Sequence, residues 1–294
     1  VVDYYALAYA EKEIKKLYET FAKGDKPDFY PSSFKSYVTK QTQYLNSRSY
    51  ERDQKFWRSY LAKDFDVADL EERTDNMREG YVIYQHVLTD GEQEMFDSII
   101  KRTGASPEHI WLSAVGRWYM ERHNKKRILL LRRFANRTSK EEECIFGMCR
   151  AVLPFIIDKF EDDSSSALIE SVQKESLRLR HHARIPELSL SDIYREIRQR
   201  SMESEAVSVL YIPWDITTLN DMMIDTLPFD PDGRYEVPFD IGFRNMEMLL
   251  YHQGQRLVVR IVGKEWMMKE GLSYPKLVDE CLELVQRTDI ELKG

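Results

Sequence analysis

The sequence predicts an α/β fold in which helices pack on a mixed sheet, and three observations carry that reading. Amphipathic helical stretches and short β-branched or aromatic runs are interleaved, but without the strict alternation that a doubly wound parallel sheet needs. Hydrophobic residues make up 43% of the chain and aromatic residues 12%, the composition of a globular protein. At 294 residues the chain is too long for one ordinary core and points to two lobes, or to the larger part of a two-lobed protein.

The elements follow in order. Leu7, Ala10, Ile14, Leu17 and Phe21 recur at helical spacing, so residues 4–23 read as a helix, and Gly24 closes it. Pro27 and Pro31 make 26–33 a loop. A second helical stretch covers 34–62, carrying Phe34, Tyr37, Tyr44, Phe56 and Trp57, and the acidic, turn-rich segment 63–79 reads as a linker. The pattern then changes. Tyr81–Val87 alternates as a strand. Thr89-Asp-Gly-Glu92 has capping-box spacing and opens a helix with apolar residues Met95, Phe96, Ile99 and Ile100, ended by Gly104. Ser106-Pro107 starts another helix through Trp111, Val115 and Trp118. Strands are predicted at 127–134 and 152–157, then a helix from Ser166 to about His181. Further strands are predicted at 206–212, 236–244, 246–252 and 256–263, and Pro275 marks a last helix. No internal repeat or low-complexity tract is present.

Composition excludes several functions. The net charge is -7 and no basic stripe appears, which argues against a nucleic-acid partner. Cys144, Cys149 and Cys281 form no C-x-x-C pair, so neither a disulfide framework nor a zinc site is expected. They read as small hydrophobes in a reducing, cytoplasmic setting. No apolar run approaches the roughly 20 residues that span a bilayer, so no membrane partner is expected, and no secretory signal is seen. With no initiator Met, Val1 is expected to lie inside a longer gene product.

Glycine-rich nucleotide loops, G-x-S-x-G and H-E-x-x-H are absent. The histidines at 86, 109, 123, 181, 182 and 252 fall in no metal-ligand pattern, so no metal is expected. His181 and His182 end a basic helix, where cationic groups complement the dipole. Asp3 and Arg137, each taken alone, read as surface charges.

Taken together, several segments carry a family likeness. Asp3 opens an amphipathic helix. Asp53-Gln-Lys-Phe-Trp57 precedes Tyr60-Leu61, and Gly104-Ala-Ser-Pro107 leads a helix through Trp118. Arg132-Arg-Phe-Ala-Asn-Arg137-Thr138 is followed ten residues after Arg137 by Gly147, and then by Leu153-Pro154. His182 to Pro186 adds a weaker match. In this order and spacing the chain resembles, over nearly its whole length, the condensation domains of non-ribosomal peptide synthetases. Arg132–Arg137 and Tyr44–Trp57 are most similar to those of aryl-capped siderophore assembly lines.

The resemblance implies a chloramphenicol acetyltransferase-like fold, a two-lobed α/β sandwich with mixed sheets. Residues 1–65 would be the remainder of the N-terminal lobe, part of which is missing, with a linker at 66–79 and the C-terminal lobe at 80–294. It implies amide formation from a donor acyl thioester and an acceptor amine. It also implies that no cofactor is bound directly and that substrates ride on phosphopantetheine arms of donor and acceptor carrier protein domains, with adjacent synthetase domains as further partners. The second His of the family's His-His-x-x-x-Asp-Gly motif orients or deprotonates the amine. Here that His is expected just before Val1, so no catalytic residue lies within the chain. His181-His182 is not that motif, because Pro186 stands where its Asp would be. Asp3 takes the place of the motif Asp, and its implied role is a structural pair with Arg137 across the lobe junction. Gly147, Tyr4, Arg150, Ala151 and Val152 are the tunnel- or motif-adjacent positions. Tyr4 replaces the motif Gly, and Ala151-Val152 replaces an Asn-Thr, with Arg150 just before. These departures leave open a catalytically inactive domain that recruits a partner or carrier protein. An acyltransferase using soluble acyl-CoA is a third reading.

Overall fold

Most helix starts among the described residues are set by side chains that accept from otherwise unpaired backbone N–H groups. The computed structural model describes residues 2–27, 32–67, 81–159, 164–202, 207–215, 234–235, 246–264 and 273–294. Asp3 caps helix α1 (Tyr4–Ala22), Ser33 caps α2 (Phe34–Leu45) and Ser47 caps α3 (Arg48–Leu61). Thr89 and Glu92 form a reciprocal capping box at the start of α4 (Asp90–Thr103). Gly104 ends that helix with φ +68°, a left-handed conformation that glycine adopts without cost. Ser106 caps α5 (Pro107–Arg122), Ser139 the single turn α6 (Lys140–Glu143) and Ser164 α7 (Ser165–Arg180). Helix α8 (Glu187–Arg198) follows Pro186, and α9 (Tyr274–Lys293) follows Ser273.

The strands are β1 (Asp66–Val67), β2 (Tyr81–Val87), β3 (Arg127–Phe134), β4 (Ala151–Asp158), β5 (Val207–Asp215), β6 (Arg234–Tyr235), β7 (Met246–Gln253) and β8 (Arg256–Lys264). They form one mixed sheet in the order β1-β3-β5-β7-β8-β2-β6, with β4 also paired to β3. The β1–β3, β3–β5 and β5–β7 pairings are parallel, and the others are antiparallel. Strand β3 is thus held along its whole length by β4 while its middle pairs with β5. Helices α4, α5, α7 and α9 pack together against the sheet. Trp57, Trp111, Tyr119, Tyr194, Phe96 and Phe155 are wholly buried in the main core, which α3 shares through Trp57, Tyr60 and Leu61.

Three sequence expectations need correction or fall outside the described residues. The predicted helix over 34–62 is two helices, broken at Asn46-Ser47, where Ser47 accepts from the Tyr50 N–H and restarts the chain. Helix α8 is not among the elements predicted from the sequence, although Leu190, Ile193 and Tyr194 bury one of its faces. The strand expected at 236–244 and residues 68–79 of the expected linker lie outside the described residues. On α1, Ile14, Tyr18 and Phe21 are exposed, and nothing among the described residues covers them. No helix among the described residues is long and apolar enough to cross a membrane.

Candidate functional site

The first helix turn and the segment between β3 and β4 meet at a buried carboxylate. Asp3 Oδ1 accepts from the Ala6 N–H at 2.9 Å, capping α1. Asp3 Oδ2 accepts from the Cys149 N–H at 2.8 Å and the Arg150 N–H at 3.0 Å. Arg137 closes on it as a two-pronged fork, Nη1 to Oδ2 and Nη2 to Oδ1, each at 3.0 Å. The guanidinium also donates to the carbonyls of Ala135, Ile145 and Gly147 at 3.2, 3.3 and 3.1 Å. Both residues are only 6% exposed. Charge-assisted bidentate bonds of this kind are short and directional. Arg137 and Asp3 therefore fix the start of α1, the 135–137 turn and the 145–150 segment in one unit. The Tyr5 ring lies 4.4 Å from the guanidinium carbon. Burial and nearby Glu143 push its hydroxyl up, against the pull of Arg137.

Beside this junction opens a cavity of about 310 Å³, walled by Tyr5, Leu7, Phe134, Met148 and Ile212 and bordered by Arg150. Its surface is mainly apolar, and Asp3 closes one side. Tyr4 is the first residue of α1. The Gly147 carbonyl takes a bond from Arg137, and a Cβ there would stand 2.3 Å from Phe34 Cδ2. Glycine is needed because Phe34 packs directly onto the backbone. Ala151 and Val152 lie in β4 opposite Phe134 and Arg133 and are buried in the main core. Neither they nor Gly147 are among the described residues that line the cavity. Burial pushes the Cys149 thiol up to about 11, which makes it inert as a nucleophile at neutral pH.

Three further buried polar groupings escaped the sequence reading. Glu108 grips Arg132, with Arg132 Nε donating to Oε1 at 2.8 Å and Nη2 to Oε2. Arg132 Nη1 also donates to Ser176 Oγ. The Ser106 N–H points at His109 Nδ1 at 3.3 Å, which leaves Nε2 to carry the proton toward Ser176 Oγ at 3.1 Å. Burial, with Arg132 close by, lowers the His109 pKa to about 4. Arg133 on β3 reaches past β5 to Glu247 on β7, Nη1 to Oε1 at 2.8 Å. Finally, Asp53 receives His182 Nδ1 at 2.7 Å and the Tyr44 hydroxyl at 2.8 Å, while Phe56 stacks on the His182 ring at 3.7 Å. His182, just past the end of α7, thus packs onto α3, and its helix-end position explains little of its role. The signal for this contact was present, since Asp53 and His182 each sit in a segment that carries the family likeness.

The chain belongs to the condensation domain family, whose sequence profile matches residues 1–214. Over 229 residues it is 21% identical to one of the plipastatin synthase polypeptides of Bacillus subtilis strain 168, covering 77% of this chain and 9% of that one. It is similar in structure to the first condensation domain of the calcium-dependent antibiotic synthetase in complex with a substrate analogue. That match has a TM-score of 0.75 at 16% identity and covers 97% of this chain and 64% of the other. It is also similar to the PapA2 acyl transferase, with a TM-score of 0.72 at 14% identity, over 98% of this chain and 63% of that one. The chain therefore spans under two thirds of these structural relatives and a small part of the plipastatin synthase polypeptide. The family and the mixed α/β fold expected from the sequence are both borne out.

Proposed function

We propose that the protein contributes to amide-bond formation between an acyl thioester and an amine, with substrates delivered on the phosphopantetheine arms of donor and acceptor carrier proteins. The observation that carries this reading is the Asp3–Arg137 junction beside an apolar cavity. Five hydrogen bonds to the Asp3 carboxylate hold the chain rigidly at the point where it enters α1. A catalytic group just before Val1 would inherit that rigidity, and positioning within a fraction of an ångström is what such chemistry demands. In this reading a histidine there takes the proton of the attacking amine. The nitrogen bonds to the thioester carbonyl carbon, the carbon–sulfur bond breaks, and the proton passes to the departing thiolate. The apolar walls suit the acyl chain and exclude water that would hydrolyse the thioester. The likeness of Arg132–Arg137 and Tyr44–Trp57 to siderophore assembly lines supports that branch as the setting, with adjacent synthetase domains as partners.

The second reading is an inactive platform that recruits a carrier protein. Tyr4 at the motif glycine favours it. Ala151 and Val152 no longer do, because both are apolar residues filling a buried strand. The full-length protein, supplied with a carrier-loaded acyl donor and a carrier-loaded amine, is expected to release an amide product detectable by mass spectrometry. Carrier binding without any amide above the protein-free rate would overturn the condensation reading and leave the platform.

A further inference from the structure

We propose that Arg150 is a specificity-determining residue that recognises a carboxylate on the substrate occupying the cavity beside Asp3. The inference rests on the reading of that cavity as an acyl-transfer site. The Arg150 main chain is clamped, its N–H bonded to Asp3 Oδ2 at 3.0 Å, so the origin of the side chain is fixed relative to the cavity. Arg150 borders the cavity, whose lining also includes Asp3, Arg133, Leu7, Phe134, Met148 and Ile212.

The two neighbouring arginines are already neutralised. Arg133 is paired with Glu247 and Arg137 with Asp3. Arg150 differs from both: among the described residues its guanidinium makes no ion pair, hydrogen bond or ring contact, although the residue is half-buried. A cation bordering apolar walls interacts with an opposite charge more strongly than one in open water. The planar guanidinium fork matches a carboxylate in particular. An uncharged side chain would wall the cavity with less desolvation, so the charge is explained by what the cavity receives.

The test compares octanoate with octanamide, two probes of one chain length that differ in charge, by titration calorimetry on the full-length protein. Octanoate is expected to bind at least about tenfold tighter to the wild type, the scale of one hydrogen-bonded charge pair. Arg150→Gln should bring the ratio close to one, and Arg150→Lys should keep part of it. Arg150→Met takes the place of the Gln variant if that variant melts early. Equal affinities in the wild type, no detectable octanoate binding, or a ratio unchanged by Arg150→Gln would each overturn the inference. Amide synthesis from an uncharged donor is read in parallel. Retained synthesis without charge discrimination removes the role of Arg150 alone. Discrimination without synthesis removes the condensation reading alone.

Discussion

The Asp3–Arg137 and Glu108–Arg132 pairs are both bidentate, both nearly dry, and differ in what surrounds them. Glu108 and Arg132 lie 24 positions apart, on α5 and β3, and their remaining partners are side chains: Ser176, with the Phe134 and Phe155 rings facing the guanidinium. Asp3 and Arg137 lie 134 positions apart, and apart from the Tyr5 ring over the guanidinium their remaining partners are main-chain groups. Three N–H groups bond to Asp3 and three carbonyls bond to Arg137. The first pair satisfies itself inside a core that secondary structure already holds. The second replaces secondary structure where the chain has none, in the turns between β3 and β4. A buried ion pair is weak evidence of stability in general, and the contrast shows when one becomes indispensable: when backbone groups depend on it.

The sharpest way to break the comparison is to remove each pair whole. Asp3→Leu with Arg137→Met strands six main-chain groups, and urea denaturation should show a loss of about 3–5 kcal/mol or more. Glu108→Leu with Arg132→Met leaves mostly side chains to repack and should cost less than about 2 kcal/mol. Equal losses would mean that the main-chain partners contribute nothing special.

Gly147→Ala probes the same junction from its edge. The added methyl meets the Phe34 ring, so a loss of about 1–3 kcal/mol is expected. Phe34→Ala in the same chain should recover most of it, since Phe34 is 40% exposed and can be trimmed cheaply. No recovery would place the strain in the Arg137–Gly147 carbonyl bond instead.

The last effect belongs to the Glu108 side of the comparison and depends on pH. His109 is held neutral in the fold, its pKa lowered to about 4 from an ordinary 6.5. The unfolded chain therefore takes up the proton first as pH falls. The stabilisation from neutral His109 is complete above about pH 6.5 and is lost progressively toward pH 4. His109→Gln should flatten stability over that window while leaving the Asp3 junction intact. An unchanged acid limb would show that His109 carries no linkage.

These contrasts also explain what was readable in the sequence. The Thr89 capping box, the Ser106 cap and most described strands were legible because local spacing determines them. Asp3 and Arg137 were legible only through the family likeness, since neither sits in a local pattern. Arg132 and Arg133 were not legible as buried charges: an arginine in an apolar strand reads as a solvent-facing residue until its partner is known. Those partners, Glu108 and Glu247, come from elements distant in sequence. The break at Ser47 was hidden because no Gly or Pro marks it anywhere in residues 34–62. Arg198 on α8 lies over the Phe65 ring at 4.0 Å and donates to the Phe65 carbonyl. It is a poor control for an exposed arginine. Arg195, in an open pair with Asp192, is a better one.

The measurement that bears most directly on the account is amide hydrogen exchange at Cys149 and Arg150 in Arg137→Ala, with Arg195→Ala as the control and Arg137→Lys as a milder form. If Arg137 organises the junction, protection at these two amides should fall by about tenfold or more in Arg137→Ala. Protection in the middle of β7, at Met248 to Leu250, should change only with global stability. Unchanged exchange at Cys149 and Arg150 in a folded Arg137→Ala chain would contradict the account and return Arg137 to an ordinary buried charge.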